Sequence, residues 1–117
     1  MRFNVIIAGT RTFEDYDILC EHCDRFFSNK KPTAIICGEA RGADTLGKRY
    51  AEEHGIPVMS FPADWNKYKK AAGYIRNQEM AQHADALVAF WDGQSRGTKN
   101  MIEIAKKMNL PRRVVMI

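Results

Sequence analysis

Ala86-Leu87-Val88-Ala89-Phe90-Trp91, followed at once by Asp92-Gly93-Gln94-Ser95-Arg96-Gly97-Thr98, decides the fold. The first segment is apolar throughout. A strand with one wet face alternates apolar and polar residues, so an unbroken run belongs to a strand covered on both faces, as in the interior of a parallel sheet. The same pattern recurs on either side. Phe3 to Ala8 is apolar apart from Asn4, Ala34 to Cys37 forms a second run, and Arg113 to Ile117 a last one. Pro57 to Phe61 reads as a third strand in chain order, its proline tolerated at the start.

Between these runs the period changes to that of a helix. Tyr16, Leu19, Cys20, Cys23, Phe26 and Phe27 share one stripe of a helix expected over Phe13 to Ser28. Ala43, Leu46, Gly47, Tyr50, Ala51 and His54 mark a second, ending before Gly55. Further helices are expected over Ala71 to His83 and Gly97 to Met108, and Pro62 to Lys70 reads as a polar loop around Trp65. Strands alternating with helices of this length make βαβ units with right-handed crossovers. The expectation is an α/β protein, a single Rossmann-like domain over residues 1–117, with a five-stranded parallel sheet and helices on both faces.

The bulk properties agree. A chain of 117 residues supports one hydrophobic core, and 45% hydrophobic with 27% charged residues is an ordinary globular composition. No stretch approaches the ~20 apolar residues of a membrane span. Met1-Arg2-Phe3-Asn4 runs directly into the first strand without a leader pattern, so a cytoplasmic location and no membrane partner are expected. The net charge of +4 favours anionic partners. Cys20-Glu21-His22-Cys23 has the spacing of half a zinc site. Both thiols fall on the apolar stripe, however, and no second pair completes the ligands, so no metal site is read here.

The loops after three strands carry the chemistry. They are Gly9-Thr10-Arg11-Thr12, Gly38-Glu39-Ala40-Arg41-Gly42-Ala43-Asp44 and the Asp92–Thr98 segment quoted above. Each joins glycine and arginine to a hydroxyl or carboxylate just before a helix. Glycine permits close backbone approach, N–H groups at a helix start attract anions, and arginine grips phosphate with a planar fork. In open parallel sheets these loops meet beyond the carboxyl ends of the strands, where ligands bind. The candidate ligand-binding residues are therefore Gly9, Thr10, Arg11, Gly38, Arg41, Gly42, Asp44, Asp92, Gly93, Ser95, Arg96, Gly97 and Thr98. A plainer role as turns and caps, with Thr98 or Asp44 as cap residues, competes with this.

Gly73-Tyr74-Ile75-Arg76-Asn77-Gln78-Glu79-Met80 adds Arg76 and Asn77 to the candidates. It places Arg76 near a helix start, where the dipole disfavours a cation unless an anion offsets the cost; a surface arginine paired with Glu79 or another carboxylate is the alternative. Standard phosphate motifs are absent: neither G-x-x-x-x-G-K-[ST] nor G-x-G-x-x-G follows the first strand. Gly93-Gln94-Ser95-Arg96-Gly97 spells the hydrolase pattern G-x-S-x-G, but no histidine follows Ser95.

Taken together, Gly9-Thr10-Arg11-Thr12-Phe13, Gly42-Ala43-Asp44, Ala63-Asp64-Trp65, Ala72-Gly73 with Arg76-Asn77-Gln78-Glu79-Met80, and Phe90-Trp91-Asp92-Gly93 with Ser95-Arg96-Gly97-Thr98 resemble the YspA-like group of the SLOG superfamily, small bacterial and phage proteins of undefined function. The resemblance implies a strand order of 3-2-1-4-5. It also implies kinship with the LOG phosphoribohydrolases, with sensor domains for nucleotide-derived ligands, and with the DNA-processing protein DprA. LOG enzymes carry R-x-x-x-M on a helix, matched by Arg76 and Met80, and a glutamate just after P-G-G-x-G-T. Gly97-Thr98 matches the end of that motif, but Lys99, Asn100 and Met101 follow, and Glu103 is the first carboxylate.

Three functions follow, in order of preference. The first is binding of a phosphate-bearing nucleotide or nucleotide-derived small molecule, such as a nucleoside monophosphate or an ADP-ribose-like compound. The second is N-glycosidic hydrolysis of the LOG type, with Arg76 and Glu79 as candidate catalytic residues and Asp92 or Asp44 as alternative carboxylates. The third is DprA-like association with nucleic acid through Lys67, Lys69, Lys70 and Arg76 beside Trp65 and Tyr68. No cofactor is expected, and a homo-oligomer is left open.

Overall fold

The computed structural model describes residues 2–117. Its strands are β1 (Asn4–Gly9), β2 (Ala34–Cys37), β3 (Val58–Ser60), β4 (Ala86–Trp91) and β5 (Arg112–Met116), all parallel in the order β3-β2-β1-β4-β5. Its helices are α1 (Tyr16–Phe26), α2 (Ala43–Glu53), the short α3 (Trp65–Tyr68), α4 (Ala72–Gln82) and α5 (Arg96–Lys107).

Alternation along each strand divides the core between two faces. Val5, Ile7, Ile35, Val88 and Phe90 meet Leu19 and Cys23 of α1 and Tyr50 and Ala51 of α2. Ile6, Ala8, Ile36, Leu87 and Ala89 meet Met80 and Ala81 of α4 and Met101, Ile102 and Ala105 of α5. This explains the apolar runs: in β1 and β4 the residues pointing either way are buried. Gly47 lets α2 approach β1, since a Cβ there would sit 2.7 Å from Ile7 Cγ2.

Local chemistry shifts several boundaries. α1 begins at Tyr16 because Asp15 caps it, accepting the Ile18 N–H at 3.1 Å. Phe13 precedes the helix and stacks on Phe90, with ring centroids 5.0 Å apart. The expected loop over 62–70 contains α3 and leads into a 3-10 turn, Lys69–Ala71. Asp64 accounts for α3 by accepting the Lys67 N–H at 3.0 Å. α5 is capped by Ser95, not Thr98; the Ser95 hydroxyl accepts the Thr98 N–H at 3.4 Å. Gly42, at φ +72°, occupies the cap position of α2 in place of Asp44. Among the described residues no helix is long and apolar enough to cross a membrane.

Candidate functional site

Strand order reverses between β1 and β4, and their following loops diverge to opposite faces of the sheet. Two adjoining cavities open at this edge. The first, of about 400 Å³, lies between the ends of the strands and helices α4 and α5. The second, of about 520 Å³, lies over the β2–α2 loop. Arg11, Ala40, Trp65 and Arg76 line both, so the two are lobes of one cleft.

The first lobe gathers most of the candidates. Gly9, Arg11, Asp44, Arg76 and Asn77 face it, and Ser95, Arg96, Gly97 and Thr98 bring the start of α5 to its wall. A Cβ at Gly97 would meet nothing within 4 Å, so space lies open beside the first turn of α5. Gly38 and Arg41 line the second lobe instead. Arg11, Lys70, Arg76 and Arg96 are set against the single carboxylate of Asp44 in the first lobe, and Arg11, Arg41 and Arg76 against Glu39 in the second.

Arg76 is anchored at the boundary between the lobes. It is the fifth residue of α4, past the first turn, so the helix dipole is not what makes its position costly. Burial and the neighbouring Arg11 push its pKa down, while Asp44 opposes them. Its Nη1 donates to the Gly38 carbonyl and its Nε to Asn77 Oδ1 at 3.1 Å. No carboxylate of the described residues lies within 4.0 Å, so the alternative of a pair with Glu79 does not form. Gly38 is what admits the guanidinium: a Cβ there would lie 2.5 Å from Nη1.

Asp44 is buried at the start of α2 and accepts the Ala40 N–H at 3.1 Å. Burial raises its pKa, opposed by backbone N–H groups and by Arg76. Such a carboxyl can accept from a ligand hydroxyl or exchange a proton with a bound group.

Other candidates hold the frame. Buried Thr10 accepts the Asp92 N–H through Oγ1 at 3.1 Å, joining the first and last loops. Asp92 accepts the N–H groups of Gln94 and Ser95 at 2.8 Å each, which hold its carboxyl below the usual range. Buried Asn77 donates to the Gly97 carbonyl at 3.1 Å and to Asn100 Oδ1 at 3.0 Å, locking α4 to α5 while also facing the first lobe. Thr10, Gly42, Asp92 and Gly93 line neither lobe. Glu79 is exposed and borders a separate depression with Asp64, Lys67 and Arg76.

Trp65, a candidate only for nucleic acid, and Tyr74, not a candidate, both line the cleft, exposed at 51% and 46%. Lys70 and Gly73 join them, and a Cβ at Gly73 would lie 3.6 Å from the Trp65 ring. Their signal was present in Ala63-Asp64-Trp65 and Ala72-Gly73, which carried the resemblance. The Cys20/Cys23 pair lies away from this edge on α1; Cys23 is buried, and burial pushes its thiol up to about 12.

Fold and site define an open Rossmann-like domain with a basic cleft at its switch point. More particularly, the chain belongs to the YspA, cpYpsA-related SLOG family, whose model matches residues 3–68. It is 32% identical over 117 residues to the gene 61 protein of Mycobacterium phage D29, covering 92% of this chain and 91% of that one. Its fold is that of DNA processing protein A (DprA) from Streptococcus pneumoniae, whose X-ray structure superposes with a TM-score of 0.74 at 15% identity. That match covers 97% of this chain and 50% of DprA, so the chain spans half the length of that protein.

Proposed function

We propose that the protein binds a phosphate-bearing nucleotide or nucleotide-derived small molecule in this cleft. The observation that carries the reading is Arg76: a half-buried guanidinium, fixed by two hydrogen bonds, with no carboxylate of the described residues within 4.0 Å and facing the cavity. A desolvated cation with no carboxylate in direct contact is costly, and a bound phosphate would add counter-charge to that of the more distant Asp44. The open start of α5 and Arg96 offer a second contact for anionic oxygens, and the faces of Trp65 and Tyr74 suit a base. Charged hydrogen bonds contribute about 1.5–3 kcal/mol each, so a few of them reach the ~8 kcal/mol of a micromolar site.

The test is thermal denaturation with millimolar AMP and ADP-ribose. A ligand that binds only the folded state raises the Tm as RT ln(1 + [L]/Kd). The expected result is a rise with at least one of them; no rise across a broad nucleotide panel contradicts the reading.

A second reading, N-glycosidic hydrolysis, draws on Asp44. It is the carboxylate that lines the first lobe, whereas Glu79 and Asp92 lie outside both lobes. An oxocarbenium-like centre or an attacking water needs such a group within reach. Incubation with the common nucleoside monophosphates and chromatography of free base separates the readings. Release above an Arg76→Ala control favours hydrolysis, and binding without release favours a binding module.

A further inference from the structure

We propose that β5 is where two copies of the chain join, pairing antiparallel edge to edge about a two-fold axis, so that the sheet of one copy runs on into the other. The inference is independent of what the cleft binds.

The two outer strands of the sheet are guarded differently. β3 has three residues between Pro57 and Pro62, short and proline-flanked, a poor template for another strand. β5 has five, paired with β4 without interruption from Arg112 to Met116. The Leu87 N–H donates to the Pro111 carbonyl at 2.9 Å and the Ile117 N–H to the Trp91 carbonyl at 3.0 Å, so alternate residues of this segment turn their backbone groups to β4. The N–H and C=O groups of Arg112, Val114 and Met116 therefore point out from the sheet. An open row of this kind is what a further strand pairs with.

The side chains agree with the backbone. Arg113 and Val115 lie on the α1 face, where Arg113 Nε donates to His22 Nδ1 at 3.0 Å. Val114 and Met116 lie on the opposite face, and α5, which sits over β4 and β1, leaves them exposed at 37% and 61%. Outside the cleft, the large apolar side chains exposed among the described residues are these two, Ile117 and Met108 at the end of α5. Free backbone and a bare apolar face thus coincide on one strand, and such a surface marks an interface.

A second copy fits this edge because the strand matches itself when reversed. It is basic where it starts and apolar where it ends. Parallel pairing would set Arg112 beside Arg112, which like charges oppose. Antiparallel pairing centred on Val114 sets that residue against its own counterpart and Arg112 against Met116, each pair exchanging N–H and C=O groups. It also carries Arg112 of one copy towards Asp92 of the other, because Met116 is the ladder neighbour of Trp91 and the exposed Asp92 follows Trp91. A two-fold contact of this kind is closed, so growth stops at the dimer.

Sedimentation equilibrium of the whole protein at tens of micromolar tests this. The wild type should approach twice its 13.4 kDa as concentration rises, and go no higher. Val114→Pro removes an outward N–H and none from the ladder with β4, so it should fold and yet stay monomeric. Met116→Lys places a cation opposite Arg112 and should raise the dissociation constant of the dimer about tenfold or more. Circular dichroism checks the fold of each variant, and if Val114→Pro does not fold, Met116→Lys decides. A wild type that stays monomeric or forms larger species overturns the proposal, as does a dimer that survives unweakened in the folded variants. None of these outcomes bears on nucleotide binding, which the thermal shifts test separately.

Discussion

The two edges of the sheet use the same residue types in opposite ways. Where the strands begin, Arg2 holds Asp85 through Nε and Nη2 at 3.1 and 3.0 Å, and Asp85 also accepts the Asn4 N–H at 2.8 Å. Towards that edge, in the later halves of α1 and α2, Arg25 meets Glu21 at 2.8 Å and Arg49 meets Glu53 at 2.9 Å. Where the strands end, Arg11, Arg41, Arg76 and Arg96 have no carboxylate within 4.0 Å among the described residues. Unpaired surface arginines are ordinary, but Arg76 is half-buried and desolvated. The difference teaches that charge at the first edge is spent on pairs within the fold, while the arginines at the second carry no carboxylate partner among the described residues.

The largest expected effect tests the rigidity of the second edge. A Cβ at Gly9 would overlap the Phe90 carbonyl oxygen and lie 2.8 Å from Ala43 Cβ, so backbone must move. Gly9→Ala should cost about 3 kcal/mol in urea unfolding, the upper range of overpacking. Gly38→Ala meets first the guanidinium of Arg76, a side chain rather than backbone, and should cost clearly less stability than Gly9→Ala while weakening the ligand. Equal losses of stability in the two variants would erase the distinction between frame and clamp.

Next in size is the paired edge. Its hydrogen bond from Arg2, above all, holds the Asp85 carboxyl below its ordinary pKa. A lowered folded pKa gives stability that is complete above the unfolded value near 4 and is lost as pH falls through the folded one. Asp85→Asn should therefore cost about 1 kcal/mol at neutral pH, after screening, and progressively less as the pH falls below about 4. A deficit that persists in acid would show that charge is not what the pair supplies.

The fold was far more legible in the sequence than the site, and the reason is physical. Runs such as Ala86–Trp91 report burial on two faces, a property every residue in the run must satisfy. The role of a loop residue depends instead on which partner it finds. Thr10 and Asp92 looked like ligand contacts in their motifs, yet each spends its side chain on backbone N–H groups of the frame. The Asp64 cap of α3 lay hidden in a polar segment, and with it the placing of Trp65 over Gly73. Arg76 stands out in its motif, but its environment comes from Gly38, 38 residues away in the chain, which no local pattern shows.

Smaller effects follow for the exposed cations. Arg11→Ala and Arg96→Ala remove charges without a carboxylate partner, so apo stability should change by no more than about 0.5 kcal/mol. A larger loss would mean that these arginines hold the loops. Smallest of all is the response to nucleic acid. The basic segment of Lys67, Lys69 and Lys70 is short, and Lys67 already lies 5.0 Å above the Tyr68 ring. No tight complex with single-stranded DNA is expected at physiological salt, and a submicromolar one that weakens steeply as salt rises would move the function towards DNA.

The central claim is that Arg76 waits for a phosphate, and calorimetric titration of ADP-ribose into wild type and Arg76→Ala tests it most directly. Affinity should fall by about ten- to a hundredfold in the variant, the worth of one charged hydrogen-bonding group of roughly 1.5–3 kcal/mol, while the ligand-free Tm stays close to wild type. An unchanged affinity in a folded variant would contradict the account, because the guanidinium would then have no anion to meet.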